Sequence, residues 1–265
     1  MLQLRELGAT GMQVSCLGLG TVKFGRNREV KYPEGFKLPS DREITALLEL
    51  AREAGINLLD TAPAYGSSEQ RIGRLLPNRD EWLLCTKVGE VFEGGRSRFD
   101  FSDGHVRASI EQSLRSLRTD RLDLVLIHSD GSDLDILDNS DCLETLERMR
   151  DKGLLRATGM SSKTIEGGLR ATELVDVLML TYNRSDTSQM PVIERAQKAG
   201  KGVLIKKGLA SGHAVHGATR DKTPSVADNF RFLLDPPGIS SIIVGTINPD
   251  HLRENITLVK EVLTK

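Results

Sequence analysis

No stretch of this 265-residue sequence approaches the roughly 20 consecutive apolar residues that a helix needs to span a bilayer. The first residues, Met1-Leu2-Gln3-Leu4-Arg5-Glu6, carry charge early and lack the apolar block of a secretory leader, so a cytoplasmic location is expected. Charge of one sign is missing as well. With 36 basic and 37 acidic residues the formal net charge is −1, which gives no reason to expect nucleic acid or an anionic membrane as the main partner. Cysteine is scarce: Cys16, Cys85 and Cys142 are odd in number and far apart, the pattern of reduced thiols. None has a second Cys or a His at metal-ligand spacing, so no metal site is expected.

What is present is alternation. Residues 1–15 read as a hairpin around Gly8 and Gly11, followed by a short buried strand over Val14–Gly20. Ser40-Asp41-Arg42-Glu43 is a capping box, Ile44, Leu47, Leu48 and Ala51 follow at helical spacing, and Gly55 stops the helix. The same strand-then-helix unit recurs along the chain. The expected strands are 57–59, 82–86, 122–127, 154–158, 175–180, 202–205 and 241–244, and Asn248-Pro249 opens the last helix. Eight strand–helix pairs in a single domain over residues 1–265 match the size of a (β/α)8 TIM barrel with an N-terminal β-hairpin. A doubly wound open sheet competes. It calls for a glycine-rich turn opening a helix after the first strand, and Gly18-Leu19-Gly20-Thr21 has neither the third glycine nor the helix.

In a barrel, chemistry sits at the C-terminal strand ends. Strand two ends at Asp60, with Tyr65 in the turn beyond; strand three ends at Lys87 and strand four at His128. Neighbouring strand ends should bring these four together. A phenol titrates near pH 10, and a nearby ammonium should lower it toward working pH. Asp60 would keep Lys87 charged, and a neutral His128 would donate a hydrogen bond to a carbonyl oxygen. Taken singly, each has a plainer reading: a turn cap, a packed loop aromatic, a solvent-reaching lysine, a structural histidine. No second carboxylate accompanies them in a paired arrangement, so glycoside hydrolysis fits poorly.

These residues and the segments around them resemble the aldo-keto reductase family. The segments are Gly18-Leu19-Gly20-Thr21, Leu59-Asp60-Thr61-Ala62-Pro63-Ala64-Tyr65-Gly66, Thr86-Lys87, the run from Asp120 to His128, Gly159-Met160-Ser161 and the run from Gly245 to Asn255. They lie in the family's order over nearly the whole chain. The resemblance implies hydride transfer between NAD(P)H and an aldehyde or ketone, with NADPH preferred over NADH. It implies Tyr65 as proton donor, Lys87 and Asp60 tuning it, and His128 orienting the carbonyl. The cofactor residues it implies are Thr21, Asp60, Ser161, Ser162, Lys206, Leu209, Ser211, Gly245, Thr246, Asn248, Glu254 and Asn255. Several depart from the family pattern. Ser162 stands where the family has Asn, Met179 where it often has Gln, and Lys206 where many members stack a Tyr. Gly245 and His251 replace cations that some members place on a 2′-phosphate, with Arg253 nearby, and Asn183 stands close to the Met179 position.

Three long loops follow strands one, three and seven. They offer Phe24, Tyr32 and Phe36, then Phe92, Arg96, Phe99 and Phe101, then His213, His216 and Arg220, as lining for a small-molecule carbonyl pocket or as pins that hold the loops down. The acidic stretch from Asp130 to Asp141 reads as a solvated loop. Two further functions use the same residues. One is a nucleotide-binding regulatory or sensor protein with little turnover; the other is a lyase or isomerase with Lys87 as Schiff base.

Overall fold

The structure, a computed structural model, describes residues 1–30, 35–209 and 225–264. Leu4–Glu6 (β1) and Gln13–Ser15 (β2) pair antiparallel as the N-terminal hairpin. Leu17–Gly20 (β3), Leu58–Asp60 (β4) and Leu83–Val88 (β5) follow, then a second antiparallel hairpin of Glu90–Glu93 (β6) and Arg96–Phe99 (β7). Leu122–His128 (β8), Leu155–Ser161 (β9), Val177–Thr181 (β10), Gly202–Lys206 (β11) and Ile239–Val244 (β12) complete the strands. β3, β4, β5, β8, β9, β10, β11 and β12 close in that order into a parallel barrel wrapped by helices, the (β/α)8 fold that the alternation predicts.

Local sequence explains the elements. The helix Asp41–Ala54 starts where Ser40 Oγ accepts from the Glu43 amide (3.3 Å) while the Glu43 carboxylate accepts from the Ser40 amide (2.7 Å). It ends at Gly55, whose φ of 86° suits a residue without a side chain. Its buried face is Ile44, Leu47, Leu48 and Ala51.

Strand residues alternate between two cores. One face of each strand packs outward under the helices. The other forms an inner cluster that includes Leu58, Cys85, Leu124, Leu126, Ala157, Val177, Met179 and Leu204, plugged from below by Leu7, Met12 and Val14 of the hairpin. Two or four residues beyond these inner positions, on the same face, lie Asp60, Lys87, His128, Ser161, Thr181 and Lys206. Strand parity thus lifts a layer of polar groups into the barrel mouth above an apolar floor.

Three expectations change. The strand expected over Val14–Gly20 is split at Cys16, because the Ser15 amide donates to Asn57 Oδ1 (2.8 Å) and its hydroxyl to the Leu17 carbonyl (2.7 Å), turning the chain from hairpin to barrel. The loop expected after Val88 is the β6–β7 hairpin, joined by Gly94 and Gly95 with φ of 61° and 80°, the two-residue left-handed turn that matches strand twist. The acidic stretch is not a solvated loop. Asp133–Asn139 is a helix, and Asp133 is buried, its carboxylate accepting from Ser129 Oγ, the Lys163 amide (2.9 Å) and the Thr164 amide and hydroxyl (2.6 and 2.7 Å).

Candidate active site

At the mouth, Asp60 and Lys87 form a buried ion pair. Lys87 Nζ donates to Asp60 Oδ1 and to the Thr61 carbonyl (2.9 Å), and its side chain is only 2% exposed. The ammonium lies 4.8 Å from the centroid of the Tyr65 ring, and that ring meets His128 edge-on at 6.4 Å. The four strand-end residues are therefore neighbours in space.

Two close backbone approaches hold the Tyr65 turn. A Cβ on Gly25 would sit 2.2 Å from the Ser68 amide nitrogen and 2.4 Å from the Tyr65 carbonyl, and one on Gly66 would sit 2.3 Å from the Gly25 carbonyl. Beneath the turn, the Ser68 hydroxyl contacts Thr61 Oγ1 (3.1 Å) and Thr21 Oγ1 (2.9 Å), and Thr21 donates to the Asp60 carbonyl (2.9 Å). Thr21 is fully buried, and its hydroxyl serves this internal network.

Burial dominates the electrostatics. It pushes the Tyr65 phenol up; Lys87 pulls it down, Asp60 and Glu90 push it up again, and the net direction is upward. The downward shift expected from the lysine alone is thus overturned, because that expectation counted the ammonium and left out desolvation. For Lys87, burial disfavours the ammonium, but Asp60 and then Tyr65 and Cys85 outweigh it and keep the amine protonated. Burial lowers His128 below the usual histidine range; Glu90 opposes this, and Lys87 and Lys206 reinforce it.

A carboxylate that the sequence reading did not name, Glu90, stands beside His128. Glu90 is 10% exposed, and its Oε2 lies 2.9 Å from His128 Nδ1, off the line of an aligned N–H bond, so that Nδ1 lacks a well-formed hydrogen bond. Its Oε1 accepts from Arg26 Nη1 (3.1 Å) and Ser97 Oγ (2.6 Å). Sequence reasoning missed Glu90 and Arg26 because neither ends a barrel strand. The signal that would have found Glu90 is the Gly94-Gly95 turn, which marks a hairpin starting at Glu90, directly after β5.

On the other side of the mouth, Lys206 Nζ donates to Ser161 Oγ (2.7 Å) and to the Ser162 carbonyl (3.1 Å). Burial lowers the Lys206 pKa to about 7, with repulsion from Lys207, Lys87 and Lys163 adding to it. Ser162 Oγ is buried without a partner, a free polar group where a bound cofactor amide would fit. Met179 belongs to the inner apolar cluster, and Asn183 Nδ2 donates to the Lys207 carbonyl (3.2 Å). Leu209 packs half-buried against the outer core, and Ser211 lies outside the described residues. Gly245 and Thr246 follow β12 half-buried. Asn248 caps the helix Pro249–Leu263 by accepting from the Asp250 amide (2.8 Å). Asn255 is buried, Glu254 and His251 are exposed, and Arg253 pairs with Asp250 (2.8 Å).

Not every expected pocket aromatic lines the pocket. Phe24 is fully buried in the outer core. Phe92 lies under the Arg26 guanidinium at 3.6 Å, Phe99 and Phe101 stack on each other at 6.3 Å, and Phe36 lies 5.0 Å from Lys23 Nζ. Tyr32, His213, His216 and Arg220 lie outside the described residues. Among the described residues no helix is long and apolar enough to cross a membrane.

Comparison with known proteins places this geometry in context. Residues 16–230 match the profile of the Aldo/keto reductase family. A solved structure named "Putative aldo-keto reductase from Pseudomonas aeruginosa" superposes with a TM-score of 0.88 at 50% identity, covering 98% of this chain and 95% of that one. D-threo-aldose 1-dehydrogenase of a Pseudomonas species is 31% identical over 93% of this chain and 90% of its own length. L-galactose dehydrogenase of Arabidopsis thaliana is 25% identical over 98% of this chain and 89% of its own.

Proposed function

The chain belongs to the aldo-keto reductase family and is an NAD(P)H-dependent oxidoreductase of the aldehyde or ketone group, and on that premise we propose that Tyr65 is its proton donor and NADPH its preferred cofactor. The observation that carries this reading is the buried Asp60–Lys87 pair set against the Tyr65 ring, with His128 edge-on to the same ring.

The nicotinamide, when bound, supplies or takes the hydride. The protein's part is protonic and electrostatic. Because burial raises the Tyr65 phenol, it stays protonated and loaded as an acid at neutral pH. As the carbonyl oxygen takes its proton, the phenolate left behind forms beside the Lys87 ammonium, which Asp60 holds in its charged state. A fixed cation placed where negative charge develops favours the transition state over the ground state. His128 orients the carbonyl oxygen from the neighbouring strand end. Water has little access to the pair, so none of these charges is screened as it would be in bulk solvent.

The cofactor side of the reading rests on Ser161, Ser162 and Lys206 for the nicotinamide end. Ser162 brings an unpartnered buried hydroxyl and Lys206 a cation. The adenosine end falls to Gly245, Thr246, Asn248, Glu254 and Asn255 around a helix N-terminus, whose amides and dipole suit a phosphate. Preference for NADPH should be near tenfold, the worth of one charged hydrogen bond of about 1.5 kcal/mol, since Gly245 and His251 carry no fixed cation.

Tyr65→Phe tests the assignment. It should abolish NADPH-dependent reduction of a reactive aldehyde and leave the NADPH dissociation constant, read by fluorescence titration, within twofold of wild type. Full activity in that variant would remove Tyr65 as the acid. A parallel NADH titration that binds as tightly as NADPH would remove the cofactor preference.

A further inference from the structure

The carboxylate beside His128 is held from several directions. Arg26 is 8% exposed, and its guanidinium donates to the Arg28, Ala64 and Glu29 carbonyls at 3.0–3.1 Å while lying flat over Phe92. These contacts hold the guanidinium independently of Glu90. Arg26 and Ser97 then take Glu90 Oε1, and Oε2 is left facing His128 Nδ1 at 2.9 Å. Burial works against ionisation of Glu90, but His128, Ser97 and Arg26 together lower its pKa to about 2, so it is a carboxylate at every working pH.

An ionised carboxylate only accepts hydrogen bonds. A bare Nδ1 at that distance would set two lone pairs against each other in a poorly solvated place. A protonated Nδ1 needs only a small turn of the ring, about a broad torsion, to bond Oε2. Apo geometries of this kind commonly tighten when substrate binds. We infer that Glu90, braced by Arg26, is a positioning residue that fixes the proton of neutral His128 on Nδ1, so that Nε2 accepts hydrogen bonds in the neutral ring and donates one only in the imidazolium.

The inference rests on the reading of His128 as the group that orients the carbonyl, and it reverses one expectation. A neutral histidine in this site does not donate to a carbonyl oxygen. The ring is 21% exposed while Nδ1 is buried, so its opening to the mouth belongs to the rest of the ring, which includes Nε2. Carbonyl reduction is then served by the imidazolium, whose Nε2 donates to the carbonyl oxygen that Tyr65 protonates, and in the neutral ring that donor is missing. The charged and titratable groups facing His128 are Glu90 from the hairpin, Lys87 from β5, Tyr65 from the turn after β4 and Lys206 from β11. Of these only Glu90 favours the imidazolium.

The test uses the full-length enzyme carrying ¹⁵N-histidine, with the His128 signals assigned by their loss in His128→Gln. Long-range ¹⁵N–¹H correlation above the histidine titration should show the His128 proton on Nδ1. Glu90→Gln keeps the shape, and its amide can donate to a bare Nδ1, so the proton should shift toward Nε2. In the same variant the fall in aldehyde reduction with rising pH should be lost, because the neutral ring then donates from Nε2, and kcat/KM for reduction above the histidine titration should rise about tenfold over wild type. The NADPH dissociation constant should hold within twofold. A purely structural role for Glu90 would leave the tautomer unmoved. The inference is overturned if wild-type His128 carries its neutral proton on Nε2, or if Glu90→Gln leaves the tautomer and the pH limb unchanged. Loss of the Tyr65 assignment would show instead as activity retained in Tyr65→Phe, with the wild-type tautomer still on Nδ1.

Discussion

Replacing Lys206 with Met should make this protein more stable and its nicotinamide site worse. Lys206 has two hydrogen bonds, to Ser161 and the Ser162 carbonyl, and no described carboxylate pairs with it. Burial, with the help of three lysines, takes its pKa from 10.5 to about 7. At 1.36 kcal/mol per tenfold, that displacement corresponds to roughly 4–5 kcal/mol of lost folding free energy when the amine is charged in both states. Relaxation and water entry at the mouth recover about 1–2 kcal/mol of it. Losing two hydrogen bonds removes about 1 kcal/mol more from the variant's gain. A net gain of about 1–3 kcal/mol remains, or roughly 2–6 °C in Tm.

The sign with pH follows from the lowered pKa. Below about pH 7 both folded and unfolded chains carry the proton, and the full cost is present. Between about pH 7 and 10.5 the unfolded chain holds a proton that the folded chain has released, so wild type gains stability as pH rises and the advantage of Met fades. Urea unfolding followed by the fluorescence of the single tryptophan, Trp82, from pH 6 to pH 10 reads this directly. A variant less stable than wild type at pH 6, or an advantage that does not shrink by pH 10, would refute the reasoning.

Two further outcomes are expected. Asp60→Asn strands the Lys87 ammonium in a site where it is 2% exposed and should cost about 3–5 kcal/mol in urea unfolding, whereas Asp60→Asn with Lys87→Met should recover at least half; equal losses in the two would mean the pair is not coupled. Asp133→Ala removes the acceptor shared by Ser129, Lys163 and Thr164 and should cost about 2–4 kcal/mol, against less than 1 kcal/mol for Asp130→Ala at an exposed position just before the same helix, the two midpoints being compared side by side.

The barrel and the convergence of its strand-end residues were legible for a physical reason. Strand parity is strict, so once Leu58, Cys85 and Leu126 face inward, Asp60, Lys87 and His128 must face the mouth. The same parity places Ser161 and Lys206. What the pattern did not carry was anything decided by desolvation or by chain folded back from elsewhere. The direction of the Tyr65 shift depends on how much water reaches the phenol, which no spacing encodes. Glu90 and Arg26 come from segments without apolar periodicity, and Asp133 hides in an acidic run whose other members are mostly exposed. On the adenosine side, Asn248 reads equally well as a cap and as a ligand in the sequence, and the structure uses it as a cap.

The hairpin that carries Glu90 leaves and rejoins the chain at one place: the Asp100 amide donates to the Gly89 carbonyl at 2.9 Å. It is a closed ribbon whose ends meet at the barrel rim, and Arg26 reaches Glu90 and Phe92 on it from outside. Such an insert can be exchanged between barrels while every strand stays where it is. Asp60, Lys87 and His128 belong to the strands, whereas the Glu90 carboxylate belongs to the ribbon, so the charge beside His128 can be changed without touching the barrel interior.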